Sequence, residues 1–354
     1  LVDILALLNW TAQALNETGH DVPAPISKAI ARMAPTVRAL RHADGGLARF
    51  HGGGHGIEGR ADEALANSGN KALPTSDLHM GFARLTGGRT TVIVDAAPPP
   101  RGVASANAHA STLAFEMTSG RRPLVVNCGA GARFGDQWRR AARATPSHST
   151  MMIEGVSSSS LAPTSRRALD PELLIHVPDV VRSNFATHDG ARTLEASHNG
   201  YQKSHGLTHA RIMQVAVNGR MVVGEDLLTT LDGADESICQ TALTNVGQAG
   251  IPYTIRFHLH PDVDATLDMG DTAVSMRLKS GEVWVFRHDG VAKLSLSASV
   301  YLQNGRLRPR AAQQVVLSGS AMAYATRVRW SLAKAQDTPD AVRDLVQHDD
   351  IGHY

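Results

Sequence analysis

The sequence is poor in cysteine, in aromatic residues and in long apolar runs. Only 2 of its 354 residues are cysteine, and aromatic residues make up 5%. Two cysteines do not build a disulfide framework. A single disulfide between Cys128 and Cys239 is one alternative that the sequence leaves undecided. No apolar run approaches the roughly 20 residues of a membrane-spanning helix. The sequence therefore predicts no transmembrane segment.

Charge of one sign is also missing. The formal net charge is +2, with 35 basic and 33 acidic residues. Lysine and arginine form no run longer than two or three residues, so the electrostatic footprint of a nucleic-acid-binding protein is absent. Arginines do cluster locally at Arg121-Arg122, at Arg139-Arg140 and between Arg306 and Arg310. An anionic small molecule or sugar is compatible with these clusters.

The length and the glycine content indicate the architecture. A chain of 354 residues suits two domains, and 42% apolar residues suffice for sizeable cores. Thirty-two glycines favour short strands joined by many turns. The chain starts at Leu1 inside an amphipathic pattern, so we expect the natural N-terminus, with any signal peptide, to be missing.

The first 70 residues carry helical patterns. Val2, Leu5, Leu8, Ala12 and Leu15 recur at helical spacing before Gly19. A second amphipathic pattern covers 26–40, with Pro25 suited to the first turn and Pro35 expected to kink the helix. A short helix is predicted over 60–67. One-sided apolar stripes need partners, so these helices resemble the end of a helical array.

From about residue 80 the pattern changes to strands. Thr-Gly-Gly at 86–88 and Ser119-Gly120 predict hairpins, and Asn218-Gly219 and Asn304-Gly305 are tight-turn dipeptides. Apolar residues alternate cleanly in several segments after residue 190. A dozen or more antiparallel strands with glycine turns predict a large β-sandwich. The tail from Lys334 to Tyr354 is polar and acidic and is predicted to be a weakly packed helix.

The stretch from Ser105 to His148 concentrates polar residues at predicted strand ends. Asn107 and His109 are two residues apart, so on an extended chain they share one face. Asn127 or Cys128 ends a second apolar strand, and His148 opens a third. Three such strands can bring two histidines and a short polar donor together, as a metal or a catalytic group requires. The alternative is hydrogen-bonded structural packing of the histidines.

A glycine-rich loop at 43–59 precedes the strands. It places Arg49, His51 and His55 beside three consecutive glycines. One interpretation is a flexible connector, and the other is a loop that brings these side chains into a cleft. A nucleotide site is rejected, because neither the GxxxxGK[ST] pattern nor a strand–helix frame surrounds the glycines.

Several separated motifs resemble the bacterial heparinase II/III-like family. The resemblance covers nearly the whole chain, and the motifs stand in the family's order. The segments that carry it are 44–52, 105–109, 126–129, 143–150, 195–201, 256–262 and 299–302.

The resemblance implies an α+β multidomain fold, the end of an α/α toroid followed by a large antiparallel β-sandwich. We expect the C-terminal helices of an incomplete toroid in residues 1–78, the sandwich in 79–333 and a polar tail in 334–354. The family's characterised members are polysaccharide lyases. The resemblance favours a periplasmic location, with the cytoplasm as the alternative.

Family features carry over one position at a time. His109 matches a histidine that is a zinc ligand in some members, and His148 matches a further ligand. The family often has a carboxylate ligand where this chain has Asn127 and Cys128. His109, Asn127 and His148 are therefore the expected ligands of a structural zinc ion, although loss of the carboxylate weakens the set. Asn107 stands where some members have a histidine that acts as the catalytic base.

Candidate catalytic and substrate-binding residues follow from the same comparison. Asn107, His198 and Tyr201 are the catalytic candidates, and Arg49, His51 and Asn199 are the candidates for substrate binding. Segment 198–201 also reads as a simple glycine turn with a capping tyrosine.

Lyase chemistry explains why such side chains are wanted. A lyase neutralises a uronate carboxylate, removes the neighbouring proton and protonates the leaving oxygen. Histidine, arginine and asparagine serve these steps better than paired carboxylates, which hydrolysis would require.

Two functions follow as expectations. The first is a polysaccharide lyase-like protein that cleaves uronate-containing acidic glycans by β-elimination. The alternative, favoured by Asn107 and Asn127, is a non-catalytic carbohydrate-binding or assembly protein on the same scaffold. The expected partner is an acidic polysaccharide or oligosaccharide and not a nucleic acid, and a homo-oligomer is compatible with the sequence.

Overall fold

Three helices open the computed structural model, which describes residues 1–75, 77–163 and 171–337. Helix α1 spans Val2–Glu17, α2 spans Ala24–Leu40 and α3 spans Arg60–Asn67. Their buried faces meet in a small separate core that includes Leu5, Val37 and Ala64. The amide of Asn9 donates to the Ala64 carbonyl oxygen across this core (2.8 Å).

The three predicted helices are confirmed, but the described residues contain no α/α toroid. Three helices cannot close a ring, and the segment that follows them leads directly into the sheets. That these helices are the end of a toroid, and that a domain boundary lies at residue 78, stay predictions. Among the described residues, no helix combines the length and apolar character that crossing a bilayer requires.

Nineteen strands and three further helices follow in the described residues. The strands are β1 Leu78–His79, β2 Phe82–Gly87, β3 Thr90–Asp95, β4 Phe115–Ser119, β5 Arg122–Val126, β6 Met151–Ile153, β7 Ser160–Leu161, β8 Leu174–Ile175, β9 Val181–His188, β10 Ala191–Tyr201, β11 Leu207–Val215, β12 Met221–Thr229, β13 Ile251–Leu259, β14 Asp264–Asp268, β15 Ala273–Arg277, β16 Val283–His288, β17 Lys293–Tyr301, β18 Arg310–Ala321 and β19 Ala325–Gln336. The helices are α4 Asp136–Arg143, α5 Gln202–His205 and α6 Gly233–Val246.

The strands form two large antiparallel sheets. The first has nine strands in the order β1-β2-β3-β4-β5-β13-β18-β17, with β6 also paired to β13. The second has eight strands in the order β14-β15-β16-β19-β12-β11-β10-β9. Strands β7 and β8 form a separate two-stranded ribbon. The predicted large antiparallel β-sandwich is confirmed.

Aromatic side chains fill the space between the sheets. Trp330 of β19 stacks on Phe115 of β4 with ring centroids 5.6 Å apart, and it meets Phe257 of β13 edge to face at 4.9 Å. Such rings bury large apolar areas and add specific ring contacts. The few aromatic residues of the sequence are thus concentrated where the two sheets need bulk.

Two features at the C-terminal side differ from expectation. Helix α6 was not predicted, although Asp232 caps it by accepting the Asp235 amide (3.0 Å), a capping pattern readable from sequence. Strand β19 continues to Gln336, so Lys334 belongs to the sandwich and pairs with buried Glu282 (3.0 Å). The helix predicted for the tail falls mainly on 338–354, which lie outside the described residues.

Candidate functional site

The candidate site lies where the glycine-rich loop meets the end of β5 and two irregular segments. A 3₁₀ turn, Gly102–Asn107, leads into His109, and a second one, Thr145–Ser147, leads into His148. Asn107 and His109 therefore do not lie on a strand, which corrects the prediction of a shared strand face. Asn107 is exposed in this turn, whereas His109 is buried, with 4% of its surface exposed.

His109 and His148 form a buried imidazole pair. Nδ1 of His109 lies 3.2 Å from Nε2 of His148, and the ring centroids are 5.1 Å apart. Burial, followed by the positive charges of His51, Arg143 and Arg139, lowers the pKa of His109 to about 3. Burial and the neighbouring histidines likewise lower the pKa of His148. Both rings are therefore neutral at pH 7, as metal ligands must be.

His51, in the middle of the glycine-rich loop, contacts this pair. Its Nδ1 accepts the backbone N–H of His109 (3.1 Å), so Nε2 carries the proton and faces the Asp95 carboxylate (3.2 Å). Ser111 donates to the same carboxylate (2.6 Å). Nδ1 of His51 thus holds the loop against His109, and Nε2 holds it against the end of β3.

Asn107 packs against the backbone of Gly52. A Cβ added to Gly52 would lie 3.0 Å from the Asn107 carbonyl oxygen and 3.4 Å from its Cβ, and Gly52 also has a φ of +76°. Only glycine combines that backbone conformation with such a close approach. Gly52 therefore lets the loop pack closely against the exposed Asn107.

Two arginines of α4 hold the segment that carries Asn107. Arg143 is 2% exposed and donates to the carbonyl oxygens of Ala108 (2.8 Å) and Ser105 (2.8 Å). Arg139 donates to the Ala106 carbonyl oxygen (2.9 Å). These bonds fix an irregular backbone that has no sheet partner, and they place two positive charges behind the site.

A buried carboxylate, Glu116 of β4, organises the neighbouring part of the site. It accepts the backbone N–H groups of Arg49 (3.1 Å) and Asn127 (2.9 Å), and the Arg49 guanidinium lies 3.5 Å away. Burial alone would raise the pKa of Glu116, but Arg49 and His42 hold it below its usual range. We call Glu116, Arg49, His42 and Asn127 the Glu116 cluster.

A polar pocket of about 160 Å³ opens beside the Glu116 cluster. Its walls include Asp44 and His55 of the loop, which form an ion pair (3.2 Å), and His260 and Tyr301 of the sandwich. The guanidinium of Arg49 stacks over the Tyr301 ring at 4.7 Å. Arg49 is 6% exposed, so it borders the pocket mainly through this stacked arrangement.

The expected zinc site is only partly formed. The 3.2 Å separation of the His109 and His148 nitrogens suits two ligands of one tetrahedral zinc ion. Asn127 does not fit as the third ligand, because its amide donates to Glu116 (3.4 Å) and its oxygen accepts the Ser149 N–H (3.0 Å). Across the described part of the chain, no group of three or more His, Cys, Asp or Glu residues could hold a metal ion. Zinc stays a prediction that rests on two histidines.

His198 and Tyr201 do not fit the catalytic role predicted for them. They are 1% and 0% exposed, and the Tyr201 hydroxyl donates to the Met151 carbonyl oxygen (2.9 Å). Burial raises the pKa of Tyr201 above its ordinary value. A group with no exposed surface and an engaged hydroxyl cannot meet a polysaccharide, so these residues are structural.

His198 belongs to a buried chain of hydrogen bonds. Its Nδ1 accepts the Gly200 N–H (3.0 Å), so its Nε2–H donates to Nδ1 of His209 (3.2 Å). Nε2–H of His209 then donates to Asp226 (2.7 Å), which also binds Arg211 (2.8 Å). Each ring nitrogen either donates or accepts one hydrogen bond, so this series of hydrogen bonds requires both imidazoles to be neutral.

Asn199 lies in β10, two residues before the strand ends. Its side-chain oxygen accepts the N–H groups of Asp179 (3.2 Å) and Val180 (3.1 Å). These bonds tie β10 to the segment before β9. The hydrogen bonds of Asn199 do not join it to Arg49 or His51, the other predicted substrate-binding residues. Its role in substrate binding stays a prediction.

Sequence reasoning missed Glu116, Asp95 and Arg143. Glu116 and Asp95 had a readable signal, because each is a single carboxylate within or at the end of an apolar strand. Arg143 opens the motif segment 143–150, but its role could not be predicted, since its partners are backbone carbonyl groups that only the fold brings together. Both cysteines are free, so the disulfide that was left open does not form.

The fold and site define the sandwich part of a polysaccharide-lyase-like scaffold. A model of the C-terminal domain of heparinase II/III-like proteins matches residues 72–331. The chain therefore belongs to the heparinase II/III-like family. The resemblance inferred from the separated sequence motifs is confirmed.

Solved structures of heparinases share this fold. Heparan sulfate lyase HepC from Pedobacter heparinus superimposes with a TM-score of 0.66 at 13% identity, covering 96% of this chain and 51% of that one. A heparinase III structure gives a TM-score of 0.68 at 14% identity, covering 95% and 51%. At such low identity these likenesses show the fold alone.

A relative with higher identity carries a different kind of name. FtsZ-localized protein C from Caulobacter vibrioides is 31% identical over 349 residues, which are 95% of this chain and 56% of that protein. The chain thus spans about half the length of the proteins it matches.

Proposed function

We propose that this chain is the sandwich part of a lyase-like protein that binds an acidic glycan without cleaving it. The observation that carries the proposal is Asn107. It is exposed beside Gly52 of the loop, at the position where the family resemblance implies a histidine base. A carboxamide does not accept a proton near neutral pH, so it cannot begin a β-elimination.

The neighbouring side chains offer no replacement base. Both nitrogens of His51 are engaged, one by the His109 N–H and the other by Asp95. His109 is buried and its pKa of about 3 makes it a weak base. The carboxylate of Asp95 already binds His51 and Ser111. The groups around Asn107 can orient and bind, but each is committed to a structural hydrogen bond.

Positive charge supports an anionic ligand. The charges of Arg143 and Arg139 act on His109, and Arg143 also pairs with the Glu172 carboxylate (3.4 Å). Arg101, which directly precedes the turn Gly102–Asn107, and Arg133 are exposed. Arg133 lies in the 3₁₀ turn Ala132–Phe134 that precedes α4. Arginine binds carboxylate and sulfate groups in a bidentate manner, which suits a uronate-containing or sulfated glycan.

Binding by the full chain tests this proposal. In calorimetric titrations with heparan sulfate and alginate oligosaccharides, we expect measurable affinity that weakens with added salt. The double variant Arg101→Ala/Arg133→Ala should weaken binding by about tenfold or more, from the loss of two charged contacts. Arg182→Ala on β9 is the matched control and should bind normally. No binding to any acidic glycan would contradict the proposal.

A second candidate function is assembly with FtsZ. It is supported by the 31% identity with FtsZ-localized protein C, a name that records localisation and no reaction. Co-sedimentation of the chain with FtsZ polymers tests it. Specific pelleting that depends on polymerised FtsZ would support it, and a chain that stays in the supernatant at all concentrations would exclude direct binding.

A further inference from the structure

A second constellation of reactive side chains lies outside the candidate site, where α5 and α6 meet the turn after β6. Ser204 and His205 are the last residues of α5, and Glu154 directly follows β6. They face a cavity of about 280 Å³ that α6 closes on the other side. Neither the family resemblance nor the proposed function uses these residues.

The three side chains form one hydrogen-bonded line. Oγ of Ser204 lies 2.8 Å from Nδ1 of His205, and Nε2 of His205 lies 3.0 Å from Oε2 of Glu154. The carboxylate accepts, so Nε2 carries the proton and Nδ1 is an acceptor for the serine hydroxyl. The hydroxyl also lies 3.2 Å from the Tyr201 carbonyl oxygen, a longer contact than the one to the ring. Serine, imidazole and carboxylate are thus connected as in a nucleophile, its general base and the group that orients the base.

The three side chains differ in solvent exposure. Ser204 is exposed, whereas the side chain of His205 is 5% exposed and that of Glu154 is 29% exposed. The nucleophile can therefore meet a ligand in the cavity while the base is shielded from water. A purely superficial ion pair would leave both charged partners in solvent.

The backbone that carries this line is held in place. The Tyr201 hydroxyl ties α5 to β6 through the Met151 carbonyl oxygen, and Gln202 donates to Asp235 of α6 (2.9 Å). Gly206, with a φ of +64°, follows His205, and a Cβ there would lie 2.0 Å from the Asp235 carbonyl oxygen. Helices α5 and α6 thus meet in a contact that only glycine permits.

Glu154 occupies an unusual backbone conformation. Its φ is +47°, in the left-handed region that disfavours residues with a Cβ, and Gly155 follows it. Glycine or asparagine would suit this turn better. Glu154 and Gly155 are the two central residues of the tight turn that joins Ile153 to its bridge partner Val156. This turn directs the Glu154 carboxylate at His205.

The cavity indicates the ligand. Ile238, Ala242 and Val246 of α6 give it an apolar wall, and Asn245 supplies an amide at its rim. We propose that Ser204 is a reactive nucleophile towards small esters with an apolar acyl group. One side-chain amide is a sparse oxyanion donor, and each missing donor lowers turnover about 10²- to 10³-fold. The site should therefore acylate readily and turn over slowly.

The reaction balances within these groups and water. The Ser204 oxygen bonds to the ester carbonyl carbon while its proton passes to Nδ1 of His205. The carbon–oxygen bond to the alcohol then breaks, and the alcohol leaves with that proton. Water attacks the acyl-serine with the same nitrogen as base, which releases the carboxylic acid and restores the hydroxyl group.

A fluorophosphonate probe on the intact full chain tests the proposal. We expect one covalent adduct, located at Ser204 by peptide mass spectrometry, and its loss in Ser204→Ala. Ser237→Ala is the matched control, because its hydroxyl faces only the Gly233 carbonyl oxygen of α6. No adduct, or an equal adduct in Ser204→Ala, would overturn the proposal.

Glu154→Gly and His205→Gln separate reactivity from folding. Glycine relieves the positive φ, so the thermal midpoint should hold or rise, while labelling should fall at least about tenfold because the base loses its orienting partner. His205→Gln, checked for folding by circular dichroism, should lower labelling by about 10²-fold or more. Labelling at the wild-type rate in either folded variant would show that the line is structural only.

Discussion

At the scale of single residues, two asparagines distinguish this chain from the pattern that its family resemblance implies. The resemblance implies a base at the position of Asn107 and a carboxylate ligand at that of Asn127. The structure explains Asn127, because its amide donates to Glu116 while its oxygen accepts the Ser149 N–H. An aspartate there would face the carboxylate of Glu116 in the interior.

Asn127→Asp should therefore destabilise the chain. A second buried carboxylate beside Glu116 adds repulsion and removes a donor, at a cost of about 3 kcal/mol or more in the free energy of unfolding. Urea denaturation at pH 7 measures this loss. If the two histidines and the introduced carboxylate can share zinc, added zinc should restore part of the stability of the variant. Full wild-type stability without metal would contradict this explanation of Asn127.

Glu116→Gln tests the organising role of Glu116. The change leaves the buried guanidinium of Arg49 without its anion, and breaking such a pair costs about 3–5 kcal/mol. Glu225→Gln is the matched control, because Glu225 pairs with exposed Arg327 and Arg329 in the other sheet. Surface pairs contribute about 0–1 kcal/mol. Equal urea midpoints for the two variants would contradict the organising role of Glu116.

At the scale of elements, alternation and turn dipeptides predicted most strands near their observed positions. The segment 105–109 was predicted to be extended, but its residues 105–107 belong to a 3₁₀ turn. The turn forms because the backbone of this segment bonds to Arg139 and Arg143 of a distant helix. Helix α6 was missed despite its Asp232 cap, since its apolar residues lack a clear stripe. The sequence pattern thus predicts helices and strands that are stabilised by neighbouring residues. It fails where hydrogen bonds to distant residues determine the backbone conformation.

Strand β12 offers a test of how closely the elements of the second sheet are packed. A Cβ on Gly224 would lie 2.1 Å from the indole ring of Trp330. Gly224→Ala should therefore displace Trp330 from its core contacts and lower the free energy of unfolding by about 1–3 kcal/mol. Gly233→Ala, at the first residue of α6 with open space around it, is the control and should not lower stability. Equal thermal midpoints would show that the packing is looser.

At the scale of the whole molecule, the sandwich holds several buried neutral histidines. Burial is the main cause that lowers the pKa of His109 to about 3, of His258 to about 4 and of His260 to about 3. The pKa values of His148, His198 and His209 are lowered for the same main reason. Protonation of any of these rings is easier in the unfolded chain, where the pKa is about 6.5.

Stability should therefore fall as the pH drops below about 6.5. Between the folded and unfolded pKa values the unfolded chain binds more protons, so each such histidine costs about 1.4 kcal/mol per pH unit. The buried carboxylates Glu116 and Asp226 have lowered pKa values, and their contribution is lost only below about pH 4. Urea midpoints should be stable above pH 7 and should decline steeply from pH 6.5 to pH 5. Urea midpoints that stay constant from pH 6.5 to pH 5 would contradict the inference that these histidines are buried in the neutral form.

The sequence predicted part of the site through separated motifs and missed the rest. His51, His109 and His148 were predicted and do meet, because the glycine-rich loop and two irregular segments converge. His198 and Tyr201 share the same motif signal, but strand β10 turns them into the core, which a motif cannot reveal. Glu116 and Arg143 were missed because their importance arises from partners distant in the sequence.

Above all, we infer that this chain binds acidic glycans and does not cleave them. The most direct test incubates the full chain with heparan sulfate, hyaluronan and alginate and follows the ultraviolet absorbance of unsaturated uronate products. We expect no product from any glycan that the same preparation binds by calorimetry. Product that accumulates with time and is lost in Asn107→Ala would contradict binding without cleavage.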